Sequence, residues 1–242
     1  CRLQDLCQEF GITGQPFAIP DVQFKTDYDS PLIEKHDARC IMCGRCVSIC
    51  TEVQAVHAWE FTSRGYDARI ATVSGKPLDC EFCGQCVAVC PVGALISKLF
   101  KYKARVWELQ KTASVCPYCG TGCAIELNVH HNTVVRVTSD DTATHNRGNL
   151  CIRGSFGYGF ISNRDRLAAP CIKKAGTLTF VSWDEALDHA AASLKALIQE
   201  HGPDSIAGLG SVHSSNEDNY LFQKFFRVVL GTNNVDSSAR FS

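Results

Sequence analysis

The chain of 242 residues holds fifteen cysteines, most of them in tight groups, and these define the chemistry open to it. Cys40, Cys43, Cys46 and Cys50 stand in "CIMCGRCVSIC" as a C-x2-C-x2-C-x3-C run. Cys80, Cys83, Cys86 and Cys90 repeat the run in "CEFCGQCVAVC", with Pro91 next. Three thiolates on one turn reach three irons of a [4Fe–4S] cube, and the fourth cysteine of such a run serves the neighbouring cluster. The spacing therefore predicts one cluster on Cys40, Cys43, Cys46 and Cys90, and a second on Cys80, Cys83, Cys86 and Cys50. Gly44 and Gly84 suit loops whose backbone must approach a cluster closely. Zinc is the competing chemistry, but its usual sites are two separated C-x2-4-C pairs rather than triplets.

A third group, Cys116, Cys119, Cys123 and, after a gap, Cys151, reads C-x2-C-x3-C…C. Its spacing suits another [4Fe–4S] cube, with a zinc ribbon as the alternative. Cys7 and Cys171 match no ligand spacing and are expected to be small buried apolar residues. None of the eight histidines falls inside a cysteine run, and His130-His131 reads as a turn. Clusters in series serve to move single electrons over a distance, with potentials tuned by burial and hydrogen bonding.

The elements that must position these thiolates fall into successive regions. Residues 1–35 form an amphipathic opening, "CRLQDLCQEFGITG", and a connector around Pro20 to Pro31. Residues 36–98 hold the two cysteine repeats, an internal duplication. Residues 99–112 read as a basic linker with a short helix, 113–168 as a small β-rich cluster domain, and 169–242 as the opening of an α/β domain. In the β-rich part, "LNVHHNTVVRVTS" predicts two strands around a turn at His131-Asn132. Further on, Ser182 and Glu185 fit a capping box opening a helix that Gly202-Pro203 stops. Leu187, Ala190, Ala191, Leu194, Leu197 and Ile198 recur at helical spacing and are expected to face a core. "DSIAGLGS" reads as a buried strand, and "EDNYLFQKFFRVVLG" as a second helix ending at Gly231.

The bulk numbers are those of an ordinary globular chain, with 45% hydrophobic and 20% charged residues. A net charge of −1 directs it neither to nucleic acid nor to an anionic membrane. No apolar run approaches the ~20 residues that span a bilayer. Thiolate triplets of this kind imply metal ligation in a reducing compartment, here taken as the cytoplasm. The start at Cys1 rather than Met suggests a fragment.

Beyond the spacing, the residues resemble a family. "CPYCGTGC", followed by "NRGNLCIRGSFGYGFISNRDRL" and "VSWDEALD", resembles the cluster-binding start of the molybdenum or tungsten bis-pterin oxidoreductases. Within it, the match is to the alpha (catalytic) subunit of NAD-linked formate dehydrogenases. "SSNEDNYLFQKFFRVVLGTNNVD" looks like the next segment of the same family, where the pterin dinucleotides are held. The ferredoxin-like repeats are also similar to those of the large iron–sulfur subunit of NADH dehydrogenase-like complexes and of iron-only hydrogenases. "CRLQDLC" resembles the end of a His/Cys-type cluster domain, so Cys1 would be a ligand together with residues upstream of it.

The resemblance implies a mixed fold, α+β and α/β. A bacterial-type two-cluster ferredoxin domain would lead to a small β-rich [4Fe–4S] domain and an incomplete α/β bis-pterin domain. It implies three [4Fe–4S] clusters here, and Mo or W bis-pterin guanine dinucleotide in the full-length protein. Electrons from formate would pass to a flavin- and iron–sulfur-bearing NADH-reactive subunit or to ferredoxin. Three positions depart from the family pattern. Arg153 stands where a lysine commonly bridges cluster and pterin, His213 replaces an arginine near the pterin, and Ser242 falls at the cysteine or selenocysteine that ligates the metal. Those departures keep an alternative open: an electron-transfer subunit of an NADH dehydrogenase-like complex with a degenerate pterin site.

Overall fold

The computed structural model describes residues 1–15, 17, 30–75, 77–140, 142 and 145–238. Ser242 and most of the connector from Pro20 to Pro31 lie outside them. The chain divides into two compact units, Cys1–Cys116 with Gly122–Asn163, and Pro117–Thr121 with Arg164–Ser242. The architecture is the expected mixture of helices and small sheets, α+β with an α/β element near the C-terminal end.

The first unit opens with α1 (Arg2–Glu9), whose Leu3 N–H donates to the Pro91 carbonyl at 3.0 Å. It continues with β1 (Ile33–Lys35), α2 (Arg45–Ser48), an antiparallel pair of β2 (Trp59–Thr62) and β3 (Arg69–Thr72), and α3 (Gln85–Val89). Then β4 (Leu95–Ser97) returns antiparallel to β1, with Lys35 opposite Leu95. Alternate residues of a strand share a face, so Ile33 and Lys35 both point inward, 1% and 2% exposed. Glu34 points outward to the Lys101 ammonium at 2.7 Å. The core packs Ile33, Trp59, Ile70, Leu78 and Leu95 against Cys46, Cys50 and Cys86. Each fully buried large apolar side chain stabilises the fold by roughly 1.5–3 kcal/mol.

A three-stranded antiparallel sheet comes next, of β5 (Gln110–Val115), β6 (Ala124–His130) and β7 (Thr133–Thr138). His131 and Asn132 take positive φ of 46° and 58°, the backbone of a tight hairpin turn matched to strand twist. The basic linker ends differently from expectation: after a helical turn at Val106–Glu108, residues from Gln110 onward form β5. Every residue of β5 is exposed, so it carries no buried-face alternation to announce it. The short helix α4 (Ile152–Phe156) comes after the sheet, and the buried Tyr158 hydroxyl donates to the Val135 carbonyl at 2.8 Å.

In the second unit β8 (Cys171–Lys174) and β9 (Thr177–Phe180) form a hairpin around Ala175-Gly176, both at positive φ. Then α5 (Trp183–His201) starts at Ser182, whose Oγ accepts from the Glu185 N–H at 3.2 Å. Only this half of the capping box forms, because the Glu185 carboxylate accepts from Lys174 Nζ at 2.7 Å instead. β10 (Gly208–Gly210), α6 (Asn216–Lys224) and β11 (Val235–Ser237) make a β-α-β crossover with parallel strands. After α6 the chain passes through one widened turn, Phe225–Leu230, and stops at Gly231 with φ 79°. Gly208 packs closely under two rings: a Cβ there would fall 2.5 Å from Phe226 Cζ and 2.9 Å from Phe222 Cζ, so the rings would have to shift.

Two expectations are corrected here. The apolar stripe of α5 does not face a core: it has no buried residue, and Leu187 and Leu197 are 60% and 45% exposed. The strand around Gly208 is short, and Leu209 in its middle is 80% exposed. The physical reason is shared. Two strands of three residues form too small a sheet to cover a nineteen-residue helix.

Candidate metal centres

The duplication seen in the cysteine runs extends to their backbone. Met42 and Phe82, at the same place in each C-x-x-C, take positive φ of 56° and 48°. Non-glycine residues rarely do so, and where they do the surrounding structure enforces it. Gly44 and Gly84 come next in the left-handed region, with φ 74° and 79°, and start α2 and α3. An added Cβ would sit 3.0 Å from Phe61 Cζ at Gly44, and 3.1 Å from Ser155 Oγ and 3.2 Å from the Phe156 ring at Gly84.

The two fourth cysteines diverge. Cys50 lies within a widened turn, Ile49–Val53, that continues α2, and its buried sulfur accepts from the Ala58 N–H at 3.2 Å. Cys90 ends α3 with extended backbone. The result is a crossing of the two runs. Cys40, Cys43, Cys46 and Cys90 line one concave space of about 320 Å3, counting its mouth, together with Lys35 and Ile70. Cys50, Cys80, Cys83 and Cys86 line another of about 320 Å3, together with Glu81 and Trp59.

Those groupings bear on what could be held. The thiols surround a volume rather than one point, and among the described residues no three His, Cys, Asp or Glu are grouped as around a single ion. A lone zinc draws its sulfurs to about 2.3 Å from one centre, so the spaces fit a polynuclear group better. Burial pushes the Cys46 thiol up to about 11. Burial raises Cys86 further still, although a hydrogen bond from the Trp59 side chain pulls the other way. Such sulfurs become thiolates when a bound cation compensates their charge. At Lys35, burial lowers the ammonium from its ordinary value, and the Coulombic pull of Cys40, Cys46 and Cys90 opposes it. Its Nζ is paired with Asp37.

Each space has its own neighbour. Beside the first, α1 is fastened to the loop after Cys90 by the Leu3–Pro91 bond, and a Cβ on Gly93 would lie 3.6 Å from Cys1 Sγ. Beside the second, the segment carrying Cys151 is fastened to the loop of Cys83. Ser155 Oγ donates to the Cys83 carbonyl at 2.7 Å, and Gln85 Nε2 to the Leu150 carbonyl at 3.4 Å.

For the third group, Cys116 and Cys123 terminate β5 and precede β6, joined by the Cys116 N–H to Cys123 carbonyl bond at 2.9 Å. Asn146 ties that end of the sheet to the Cys151 segment. Its side chain accepts from the Ala124 N–H at 3.1 Å and donates to the Asn149 carbonyl at 3.0 Å. Cys151 is exposed at the start of α4. Cys119 is exposed and belongs to the second unit. Arg153 is exposed on α4 of the first unit, and His213 is exposed in the second, its N–H bonded to Ser211 Oγ at 3.1 Å. Cys7 and Cys171 are only half-buried, so neither is a core residue as expected. Lys35, Asn146 and Ser155 carry roles that no sequence motif announces. For Lys35 the strand alternation with Ile33 was the available signal; single polar residues such as Asn146 and Ser155 carry none.

Comparison with known proteins assigns these parts. Residues 30–96 match the NADH-quinone oxidoreductase subunit 3 ferredoxin-like domain. Residues 109–163 match the molybdopterin oxidoreductase Fe4S4 domain, and 166–242 the molybdopterin oxidoreductase family. The chain is 48% identical over 240 residues to the NADPH-Fe(3+) oxidoreductase subunit alpha of Geobacter sulfurreducens, covering 99% of this chain and 28% of that protein. It is 42% identical over 244 residues to a G-type subunit of the NADH-quinone oxidoreductase of Rhizobium meliloti, covering 100% and 28%. A Staphylococcus aureus protein provisionally named formate dehydrogenase is 27% identical over 282 residues, covering 100% and 29%. The chain thus spans little more than a quarter of the length of these curated relatives. Among its described residues no helix is long and apolar enough to cross a membrane. In succession along the chain stand an Nqo3-type ferredoxin-like domain, a molybdopterin-type Fe4S4 domain and the start of a molybdopterin oxidoreductase domain.

Proposed function

We propose that this chain relays electrons inside a pyridine-nucleotide-linked oxidoreductase, between its pterin-type domain and an NAD(P)H-reactive flavin or iron–sulfur partner. The observation that carries the reading is the crossed pair of four-cysteine spaces, with the Cys1 helix beside the first and the Cys151 segment beside the second. A [4Fe–4S] group, when bound, takes up and returns one electron with little rearrangement. Cys40, Cys43, Cys46 and Cys90 would hold one, and Cys50, Cys80, Cys83 and Cys86 another. By their spacing and the Fe4S4 family match, Cys116, Cys119, Cys123 and Cys151 would hold a third. Cys1 would contribute to a further cluster only with ligands upstream of it. The backbone N–H groups of Ala58 and Phe82 donate to Cys50 Sγ and Cys80 Sγ at 3.2 and 3.3 Å.

Identities of 48% and 42% to NADPH- and NADH-linked subunits favour this reading over formate oxidation. Formate oxidation at a Mo or W bis-pterin is the second reading, supported by the 27% identity over 282 residues and the pterin-type motifs. In both, the cytoplasm is the compartment. Arg153 would supply a cation beside the third cluster, while His213 and Ser242 would stand at pterin positions by motif alone. Anaerobically purified full-length protein tests the choice. Iron–sulfur signals, together with NAD(P)H-dependent and formate-independent dye reduction in the whole complex, are the expected result. Formate-dependent dye reduction with stoichiometric Mo or W establishes the second reading, and protein that assembles no iron–sulfur signal overturns both.

A further inference from the structure

The two cysteine-lined spaces are alike in size, loop backbone and number of thiols, yet differ in charge. Lys35 lines the first and is 2% exposed. It is held there by strand alternation with Ile33 and by its contact with Asp37, which keeps the ammonium paired. Lys35 and not Asp37 lines the space, and its ammonium interacts electrostatically with Cys40, Cys46 and Cys90. Among the described residues lining the second space there is no Lys or Arg; Glu81 lines it, and Asp79 and Glu81 both act electrostatically on its cysteines.

We infer that Lys35 sets a redox step between the two halves, making the space of Cys40, Cys43, Cys46 and Cys90 the preferred seat of an added electron. The inference rests on the cluster reading above. Reduction makes a [4Fe–4S] group more negative by one charge. A buried cation beside it stabilises that state and raises the reduction potential, while a carboxylate beside it lowers the potential. Low local dielectric strengthens the effect of Lys35, whereas the exposed Glu81 is screened by solvent. One electron given to the pair by dithionite therefore resides at the first space, the second stays oxidised, and no proton need move. An electron arriving from the Cys151 side is thus drawn toward the Cys1 side.

The test is a mediator-equilibrated redox titration, read by low-temperature EPR, on the anaerobically purified full-length protein. Signals are assigned with Cys43→Ser for the first space and Cys83→Ser for the second. Lys35→Met is expected to shift electron occupancy away from the first space about tenfold, about 59 mV for one electron, with the second unmoved. Lys35→Arg, which keeps the cation, should stay within about threefold of the parent. Should Lys35→Met fail to assemble the first cluster, Glu81→Lys supplies the second arm: it should raise the electron occupancy of the second space about two- to threefold and narrow the gap. Unchanged potentials in Lys35→Met, or equal shifts at both spaces, overturn the inference. So does an unmoved second potential in Glu81→Lys. A parent protein without iron overturns the cluster reading itself, a result separate from either.

Discussion

The first and second cysteine runs are two copies of one local instruction that end in different places. Each loop uses a left-handed residue at the same position between its first two cysteines, Met42 or Phe82, and a left-handed glycine before its helix. That much is determined within a few residues, and it orients three sulfurs. The position of the fourth sulfur depends on the path the chain takes beyond each short helix. A widened turn keeps Cys50 within a helical path and buries it against Ala58 and Trp59, while Cys90 leaves α3 in extended form toward Pro91. Each fourth cysteine lines the space of the other run, so neither run alone lines a space with four cysteines. On that pairing the duplication would be an obligate pair; Ile33 and Trp59 line the second space and pack in one core with Cys46 of the first.

Crossing gives the largest expected effect. Cys50→Ser, in the first run, should remove the cluster of the second space and spare the first; Cys90→Ser should do the reverse. Each would lose about four irons of the roughly twelve that three cubes contain. Iron analysis and EPR of the two variants measure this. Loss of the first-space signal in Cys50→Ser would mean that each run keeps its own fourth ligand, and the pairing would have to be redrawn.

The glycines give the next largest. Gly44→Ala and Gly84→Ala impose the same left-handed penalty, about 1–2 kcal/mol. Their surroundings differ. At Gly44 the new Cβ meets Phe61, a ring 55% exposed and free to swing away. At Gly84 it meets both Ser155 Oγ, already bonded to Cys83, and the partly buried Phe156 ring. Gly84→Ala should thus lower the thermal unfolding midpoint of the first unit by more, roughly an added 1–2 kcal/mol from overpacking. Equal losses at the two glycines would show that the second loop is no more constrained than the first.

Much of this organisation was legible in the residues because thiolate spacing is a local code. The runs at Cys40 and Cys80, the turn at His131-Asn132 and the stops at Gly202 and Gly231 each depend on a few neighbours in sequence. The features that stayed hidden depend on partners far away. β5 shows no apolar alternation because its face is exposed, and it is a strand only because β6 pairs with it. The stripe on α5 has helical periodicity, which predicts a helix correctly but not what covers it; its Leu187 stands in the open. Lys35 reads as a surface charge by residue type, with only its alternation with Ile33 pointing inward, and the pairing of β1 with β4 places it inside. Asn146 and Ser155 owe their roles to carbonyls that arrive from other segments.

Ser155 is also where the two halves differ most finely. The Cys83 carbonyl of the second loop accepts from its hydroxyl, and the Ser155 N–H in turn donates to the Cys151 carbonyl at 3.0 Å. One residue thereby joins the second loop to the segment that carries Cys151, across two hydrogen bonds. Ser155→Ala keeps the backbone bond and removes the hydroxyl, and a neutral hydrogen bond of this kind is worth about 0.5–1.5 kcal/mol. The expected outcome is faster amide hydrogen exchange at Cys151 to Phe156 with little change at α2, and Ser155→Thr should largely restore protection. Protection lost equally around Cys43 and Cys83 would mean that Ser155 supports the whole unit. Loss confined to the Cys83 and Cys151 segments would make it the fastening between the second space and the Cys151 segment.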